Sequence, residues 1–328
     1  MTSQSGDLVL AIDIGGGSVK LALTDEVAVS VQTDIVDGVP GFDADSLLGE
    51  IGRRAELLLA RRRSQTSRLV GTAIGVPGFV SADRRSSQNS NVPVLDDTDL
   101  VGYFGDRLHC PVEVENDANL AALGEWSFGP WNAAARFMMV TLGTGIGVAL
   151  LDRGAPVAVV GGTLGDAGHV IVDAAGSRSC RLGCKGCLES VASGLALAES
   201  AEELGDQFPQ SALGELRRAG RAITGRDLAR LAESGDAQTL ALLASLGRWL
   251  GLGLATYNNT FAPDVICSGG GVSQLRAHIE PAVLATMEDT RIKNRAGPEA
   301  VYFSADSDRA AARGAATLFF GRRDRSNG

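Results

Sequence analysis

The sequence predicts an α/β protein built from two related halves, and three observations carry that reading. A strand, a glycine turn and a second strand follow one another over residues 8–23, and the same succession returns over residues 137–151. Helical patterns fill the intervals between such strands, as α/β layering requires. A chain of 328 residues with 45% hydrophobic and 21% charged content has enough apolar surface for two domains of ordinary size.

The elements follow in order. Residues 8–14 are an apolar run broken only by Asp13, and it stops at Gly15-Gly16-Gly17. Residues 19–23 resume as a strand of small and β-branched side chains, so the glycines join two strands and open no helix. Residues 46–63, rich in Leu, Ala, Glu and Arg with a basic end, predict a helix. Residues 81–98 are polar without a period and read as an ordered loop or rim. After the apolar residues 112–114, a helix runs over 117–126, started by Asn116 or Asp117 and stopped near Gly129-Pro130. The second copy is an apolar run from 137 to Thr141, then Leu142-Gly143-Thr144-Gly145-Ile146-Gly147, then the strand 148–151. Further helices are expected over 195–203, 225–233, 237–258 and 309–320. A third glycine cluster, Gly269-Gly270-Gly271, follows a strand at 264–267. The repeat suggests two halves facing one another across a cleft, and no low-complexity stretch is long enough to separate them.

Composition excludes several classes. A net charge of −9 and a pI near 5.0 argue against a general nucleic-acid surface, and 5% aromatic content argues against a base-stacking platform. The 42 glycines are in excess yet not periodic, which points to backbone loops with a task. Residues 240–257 come nearest to a membrane span, but Arg248 and three glycines interrupt them. Residues 1–7 lack the charged-then-apolar order of a signal peptide, so the cytoplasm is expected and no membrane partner is.

Glycine clusters are either plain hairpins or phosphate cradles, since phosphates need several backbone N–H groups aimed at one point. Two matched copies favour the cradle. A dinucleotide fingerprint is excluded because Gly143-x-Gly145-x-Gly147 leads into a strand, and a P-loop because no Gly-Lys-Ser or Gly-Lys-Thr occurs. Asp13, directly before the first loop, suits Mg²⁺ held through water.

Asp117, within Glu115-Asn116-Asp117-Ala118-Asn119, is either an ordinary helix cap or a base that accepts a hydroxyl proton. On the second reading the helix N-terminus is expected to keep it ionised. His169 precedes Cys180-x-x-x-Cys184-x-x-Cys187, and one imidazole with three thiolates makes a closed set for structural zinc, the alternative being buried free cysteines. Cys110 and Cys267 read as small core residues, and His109 and His278 carry no functional claim.

Taken together and in this order, Asp13-Ile14-Gly15-Gly16, Glu115 to Asn119, the 142–147 loop, Gly168-His169 and Gly186-Cys187-Leu188-Glu189 resemble the ROK family of repressors, open reading frames and sugar kinases. The resemblance spans about residues 8–320. It implies an actin-like, hexokinase-type (ribonuclease H-like) two-domain α/β ATPase fold with ATP and sugar in the cleft. The smaller domain would comprise residues 1–118 plus 306–328, and the larger one residues 119–305 with the zinc-type loop and a dimer surface. Carried over residue by residue, Asp117 matches the catalytic base. Asn91, Asn116, Asp117, Asp166, His169 and Glu189 match sugar-binding positions. Asp13, Gly15, Gly16, Gly17, Ser18, Lys20, Thr144, Gly145, Gly269, Gly270 and Gly271 match positions around the nucleotide. His169, Cys180, Cys184 and Cys187 match the zinc set. The implied activity is transfer of the ATP γ-phosphate, with Mg²⁺, to a hexose, glucose by default, at the 6-hydroxyl. The implied state is a homodimer without nucleic-acid partners.

Three departures qualify the match. Gly17 stands where relatives usually carry Thr, with Ser18 as a neighbouring hydroxyl. Asp166 stands where relatives usually carry Glu, which bears on the sugar and keeps amino sugars (N-acetylmannosamine, N-acetylglucosamine, kanosamine) in view. Leu182 stands where the second cysteine is expected, and Cys184 comes two residues later, so the loop geometry must differ. Polyphosphate as donor and a non-catalytic sugar-binding regulator remain alternatives. A repressor of this family carries an N-terminal helix-turn-helix, and the 12 residues before Asp13 cannot hold one, so an enzyme is expected.

Overall fold

The opening apolar run forms β1 (Asp7–Ile14), and the glycine turn returns it as β2 (Ser18–Thr24), with β3 (Ser30–Asp37) completing an antiparallel meander. A computed structural model describes residues 6–28, 30–61, 67–88, 90–159, 161–293 and 297–326 of the chain. The next element, α1 (Ala44–Ala60), is capped by the Asp43 carboxylate, which accepts the Ser46 N–H at 2.8 Å. It starts earlier than the sequence suggested, and Arg62 and Arg63 of the expected helix lie outside the described residues.

There follow β4 (Arg68–Val76), β5 (Phe79–Val80), β6 (Ser87–Gln88), α2 (Leu100–Leu108), β7 (Val112–Asn116) and α3 (Asp117–Phe128). The polar loop expected over 81–98 thus contains one short strand and a 3-10 turn at Pro93–Leu95, with Asn89 outside the described residues. The second glycine hairpin is β8 (Arg136–Leu142) and β9 (Ile146–Asp152), and β10 (Ala155–Pro156) adds an edge. Then come α4 (Leu188–Ala192), α5 (Gly194–Gln207), α6 (Ala212–Arg218), α7 (Gly225–Glu233) and α8 (Ala237–Phe261). The chain closes with β11 (Val265–Gly269), α9 (Arg276–Thr290), β12 (Ala300–Phe303) and α10 (Ala310–Ser326).

Two five-stranded sheets result, ordered β3-β2-β1-β4-β7 and β10-β9-β8-β11-β12, with β5 and β6 as a separate pair. In the first, β1, β4 and β7 run parallel, as expected where helices cover both faces. The described chain divides into two compact units: Met1–Met139, Ala149–Gly165 and Asp306–Gly328 form the first, and Val140–Val148 and Asp166–Ala305 the second.

In the first unit, Leu10, Ile12 and Ile14 of β1 pack with Leu47 and Ile51 of α1 and Phe104 of α2. Each such fully buried side chain contributes about 1.5–3 kcal/mol relative to exposure. In the same unit, α3 and α10 cross closely enough that a β-carbon on Gly124 would collide with the Ala310 carbonyl and one on Gly314 with the Leu120 carbonyl. In the second unit, α8 meets α9 along Gly247 and Gly251, whose absent side chains make room for the Ile279 and Val283 carbonyls. Among the described residues α8 alone is long and apolar enough to cross a membrane, and half of its most apolar stretch is buried in the fold.

Candidate active site

Strand register builds the first half of the site. Asp13 pairs with Gly75, and Gly75 with Glu115, in one row across β1, β4 and β7. A β-carbon on Gly75 would lie 3.5 Å from Asp13 Oδ1 and 3.6 Å from Asp117 Cα, so bare backbone leaves both carboxylates room on one patch. Asp117 is the first residue of α3, and its Oδ1 accepts the Ala118 N–H at 2.8 Å.

The expectation that the helix terminus keeps Asp117 ionised needs correction. Burial pushes its pKa up to about 7, and the negative charge of Asp13 adds to the rise. The backbone N–H groups at the helix start pull the other way and are outweighed. Asp13 is itself raised, first by burial; Lys20 opposes this and Asp308 adds to it. Lys20 Nζ pairs with Asp308 at 2.8 Å.

The first unit also holds Asn116, Asn91 and the first glycine loop. Asn116, not Asp117, is the helix cap, its Oδ1 accepting the Asn119 N–H at 3.2 Å. The first glycine loop closes with the Gly15 N–H on the Ser18 carbonyl at 3.0 Å. A β-carbon on Gly16 would lie 3.5 Å from the Asn91 carbonyl, so the loop rests against Asn91. Gly17 is exposed, and nothing lies within 4 Å of the β-carbon it lacks.

The second unit holds the other loops. The Gly143 N–H closes on the Gly145 carbonyl at 3.0 Å, and the Gly194 N–H at the start of α5 donates to the Gly143 carbonyl at 2.8 Å. Gly270 has φ +92° and backs onto the Leu142 carbonyl, a position only glycine fills without strain. A cavity of about 1040 Å³ opens beside them, lined by Thr144, Gly194, Leu195, Thr224, Gly225 and Gly271 among others. Of the expected nucleotide positions, Thr144 and Gly271 face it, whereas Gly145, Gly269 and Gly270 do not line it. The contributions of α5 and α7 were missed from sequence. Thr224 and Asp227 form a capping box at the start of α7, a pattern legible in the sequence although its place on a cavity wall was not.

His169 ends a 3-10 turn, Ala167–His169, whose Ala167 carbonyl accepts the Tyr257 hydroxyl at 2.6 Å. Its Nδ1 lies 3.1 Å from Cys184 Sγ, 3.4 Å from Cys180 Sγ and 3.6 Å from Cys187 Sγ. All four donor atoms lie within 4.8 Å of one another, which suits a tetrahedral zinc with bonds of roughly 2.0–2.3 Å. Burial and the neighbouring thiols push the Cys184 thiol up to about 12, so a cation is what would let all three sulfurs ionise together. Leu182 is 57% exposed, and the altered spacing is met by Cys184. With Nδ1 toward the thiols, His169 turns Nε2 toward Asp166 Oδ1 at 3.4 Å and Glu189 Oε1 at 3.9 Å. Glu189 Oε2 accepts the Ile146 N–H at 2.9 Å, tying the acid to the end of the second glycine loop.

The ROK family profile matches residues 9–322. A glucokinase of Halalkalibacterium halodurans is 29% identical over 293 residues, covering 85% of this chain and 87% of that protein. A xylose repressor of Bacillus subtilis is 28% identical over 283 residues, covering 85% of this chain and 67% of that protein. The structure of a ROK family glucokinase from Streptomyces griseus in complex with glucose and AMPPNP is 27% identical with a TM-score of 0.82, covering 96% and 99% of the two chains. From the ordered motifs, the actin-like α/β fold and a match over nearly its whole length, the chain belongs to the ROK family.

Proposed function

We propose that the chain is an ATP-dependent sugar kinase that phosphorylates a hexose, glucose by default, at the 6-hydroxyl. The observation that carries the reading is Asp117, a carboxylate beside Asp13 whose proton affinity is raised to about 7. That base strength is matched to taking a proton near neutral pH. The named glucokinases among the relatives support the same choice.

The proposal assigns Asn91, Asn116 and Asp117 of the first unit, and Asp166, His169 and Glu189 of the second, to the sugar. Asp13, Gly15, Gly16, Gly17, Ser18 and Lys20 of the first unit and Thr144 and Gly145 of the second are assigned to the phosphates, and Gly269, Gly270 and Gly271 to the nucleotide. The adenosine occupies the cavity lined by Leu195, Thr224 and Gly225. Asp117 accepts the hydroxyl proton as the sugar oxygen bonds to the γ-phosphorus and the bond to ADP breaks. Alignment and charge neutralisation supply most of the acceleration. Mg²⁺ arriving with ATP supplies positive charge at the phosphates, with Asp13 as its protein-side carboxylate. Zinc on His169, Cys180, Cys184 and Cys187 is structural and fixes the ring that faces Asp166 and Glu189. Cytoplasmic residence and a homodimer are part of the proposal.

A second reading, an amino-sugar kinase, is favoured by one observation. The Asp166 side chain is a 46% exposed carboxyl group, which suits the free amine of glucosamine or kanosamine and not the neutral amide of an N-acetyl sugar. ADP release with Mg²⁺-ATP over glucose, mannose, allose, glucosamine, N-acetylglucosamine, N-acetylmannosamine and kanosamine decides between them, with Asp117→Asn as control. Silence on every sugar, with binding still seen by calorimetry, would sink both and leave a sugar-binding regulator.

A further inference from the structure

A buried polar cluster stands directly behind Asp117. Glu115 is 5% exposed, and its Oε1 accepts the Asn116 N–H and the Asn119 side-chain amide, each at 3.0 Å. Its Oε2 accepts Arg84 Nη2 at 2.8 Å, and the same nitrogen donates to the Val114 carbonyl at 2.9 Å. Asn119 is 1% exposed and also donates to the Gly162 carbonyl at 2.8 Å. The neighbouring Gly161 carbonyl accepts the Val80 N–H at 2.8 Å, and Asn116 Nδ2 donates to the Gly78 carbonyl at 3.1 Å.

One ion pair therefore reaches four backbone segments. These are the strand before Asp117, the first turn of α3, the glycine pair 161–162, and the polar loop that carries both Arg84 and Asn91. Arg84 is 47% exposed, so the pair carries little net stability of its own, whereas the buried Glu115, with both oxygens hydrogen-bonded, is suited to specifying one geometry. A displacement of about 1 Å at a reacting group costs on the order of a hundredfold in rate.

We propose that Arg84, Glu115 and Asn119 are positioning residues that fix the Asn116–Asp117 backbone against the loops at Gly78 and Gly161–Gly162. The proposal rests on Asp117 being the base. None of the three is among the residues assigned to the sugar or to ATP, so their loss lowers turnover and spares ATP binding.

The test uses the full-length, zinc-loaded protein with Mg²⁺-ATP and glucose, or the sugar of the panel that the wild type turns over fastest. Arg84→Met and Glu115→Gln each lower kcat by about 30- to 100-fold, while KM for ATP stays within about twofold. The double variant is no slower than the slower single, because the two act as one unit. Arg84→Lys recovers at least about tenfold of the loss in Arg84→Met, since it keeps the charge beside Glu115. Zinc content and melting temperature monitor folding, and if Glu115→Gln does not fold, the half-exposed Arg84 pair decides alone. Unchanged kcat in the Arg84 variants, or losses that multiply in the double, overturns the proposal. Asp117→Asn runs alongside: turnover there sinks the base assignment, whereas silence there with active Arg84→Met sinks the positioning unit only.

Discussion

Asp13 raises the hold of Asp117 on a proton across the missing side chain of Gly75. Asp117 cannot be read alone. The base assigned to the reaction is poised by burial and by a second carboxylate on β1, two strands from the β7 that leads into Asp117, and the chemistry therefore carries a pH signature.

A base must be unprotonated to accept a proton. With Asp117 raised to about 7, kcat/KM falls about tenfold per pH unit below that value and levels off above it. A rate–pH profile with saturating Mg²⁺ checks this. A flat profile down to pH 5 would remove Asp117 from the role.

Asp117→Asn lowers kcat by about a thousandfold and changes sugar affinity much less. The same substitution stabilises the fold in alkali. The folded pKa lies above the ordinary carboxylate value of 3.8, so the stability linked to this group is full below 3.8 and lost as pH rises through about 7. The neutral amide has no such loss, and its melting temperature exceeds that of the wild type by a few degrees at pH 8 but not at pH 4. Melting curves at the two pH values measure it.

Gly17→Thr folds as well as the wild type, because the added side chain meets nothing within 4 Å at its β-carbon. The new hydroxyl reaches the first phosphate loop and lowers KM for ATP by about three- to tenfold, the worth of one neutral hydrogen bond. Steady-state kinetics with varied ATP decides, and an unchanged or raised KM would place the phosphates away from this loop.

Metal content separates the two candidate loop positions. Wild type and Leu182→Ala each bind zinc at about one per chain, whereas Cys184→Ala loses it, because Cys184 Sγ and not residue 182 lies against His169 Nδ1. Losing zinc lowers the melting temperature by about 10 °C or more, from several kcal/mol of binding tied to folding. Elemental analysis and calorimetry read both.

Much of this was legible in the sequence because it is local. The loops at Gly15–Gly17 and Gly143–Gly145 announce themselves by interrupting apolar strands, and the helix beginning at Asp117 follows from its polar start and its run of small and apolar residues. The His169 and cysteine set was readable from spacing alone. What escaped is what strand pairing and packing create. Gly75 gave no signal in the sequence, and only its register between Asp13 and Glu115 gives it a part. Glu115 read as one of several polar residues, and nothing in its neighbourhood predicted Arg84 as its partner. The proton affinity of Asp117 was misjudged for the same reason: the helix terminus is a local effect, whereas burial and Asp13 come from the fold. The helix α9 was missed because Pro281 sits inside it and breaks the periodic pattern.

The close crossing of α3 and α10 at Gly124 and Gly314 sets an order of events during synthesis. The segment that leaves the ribosome between these helices contains the whole of the second unit. That unit can fold while the first still lacks the helix that backs α3, and domains made this way fold as they emerge. The segment carrying Asp117 is therefore translated early and braced late, when α10 arrives.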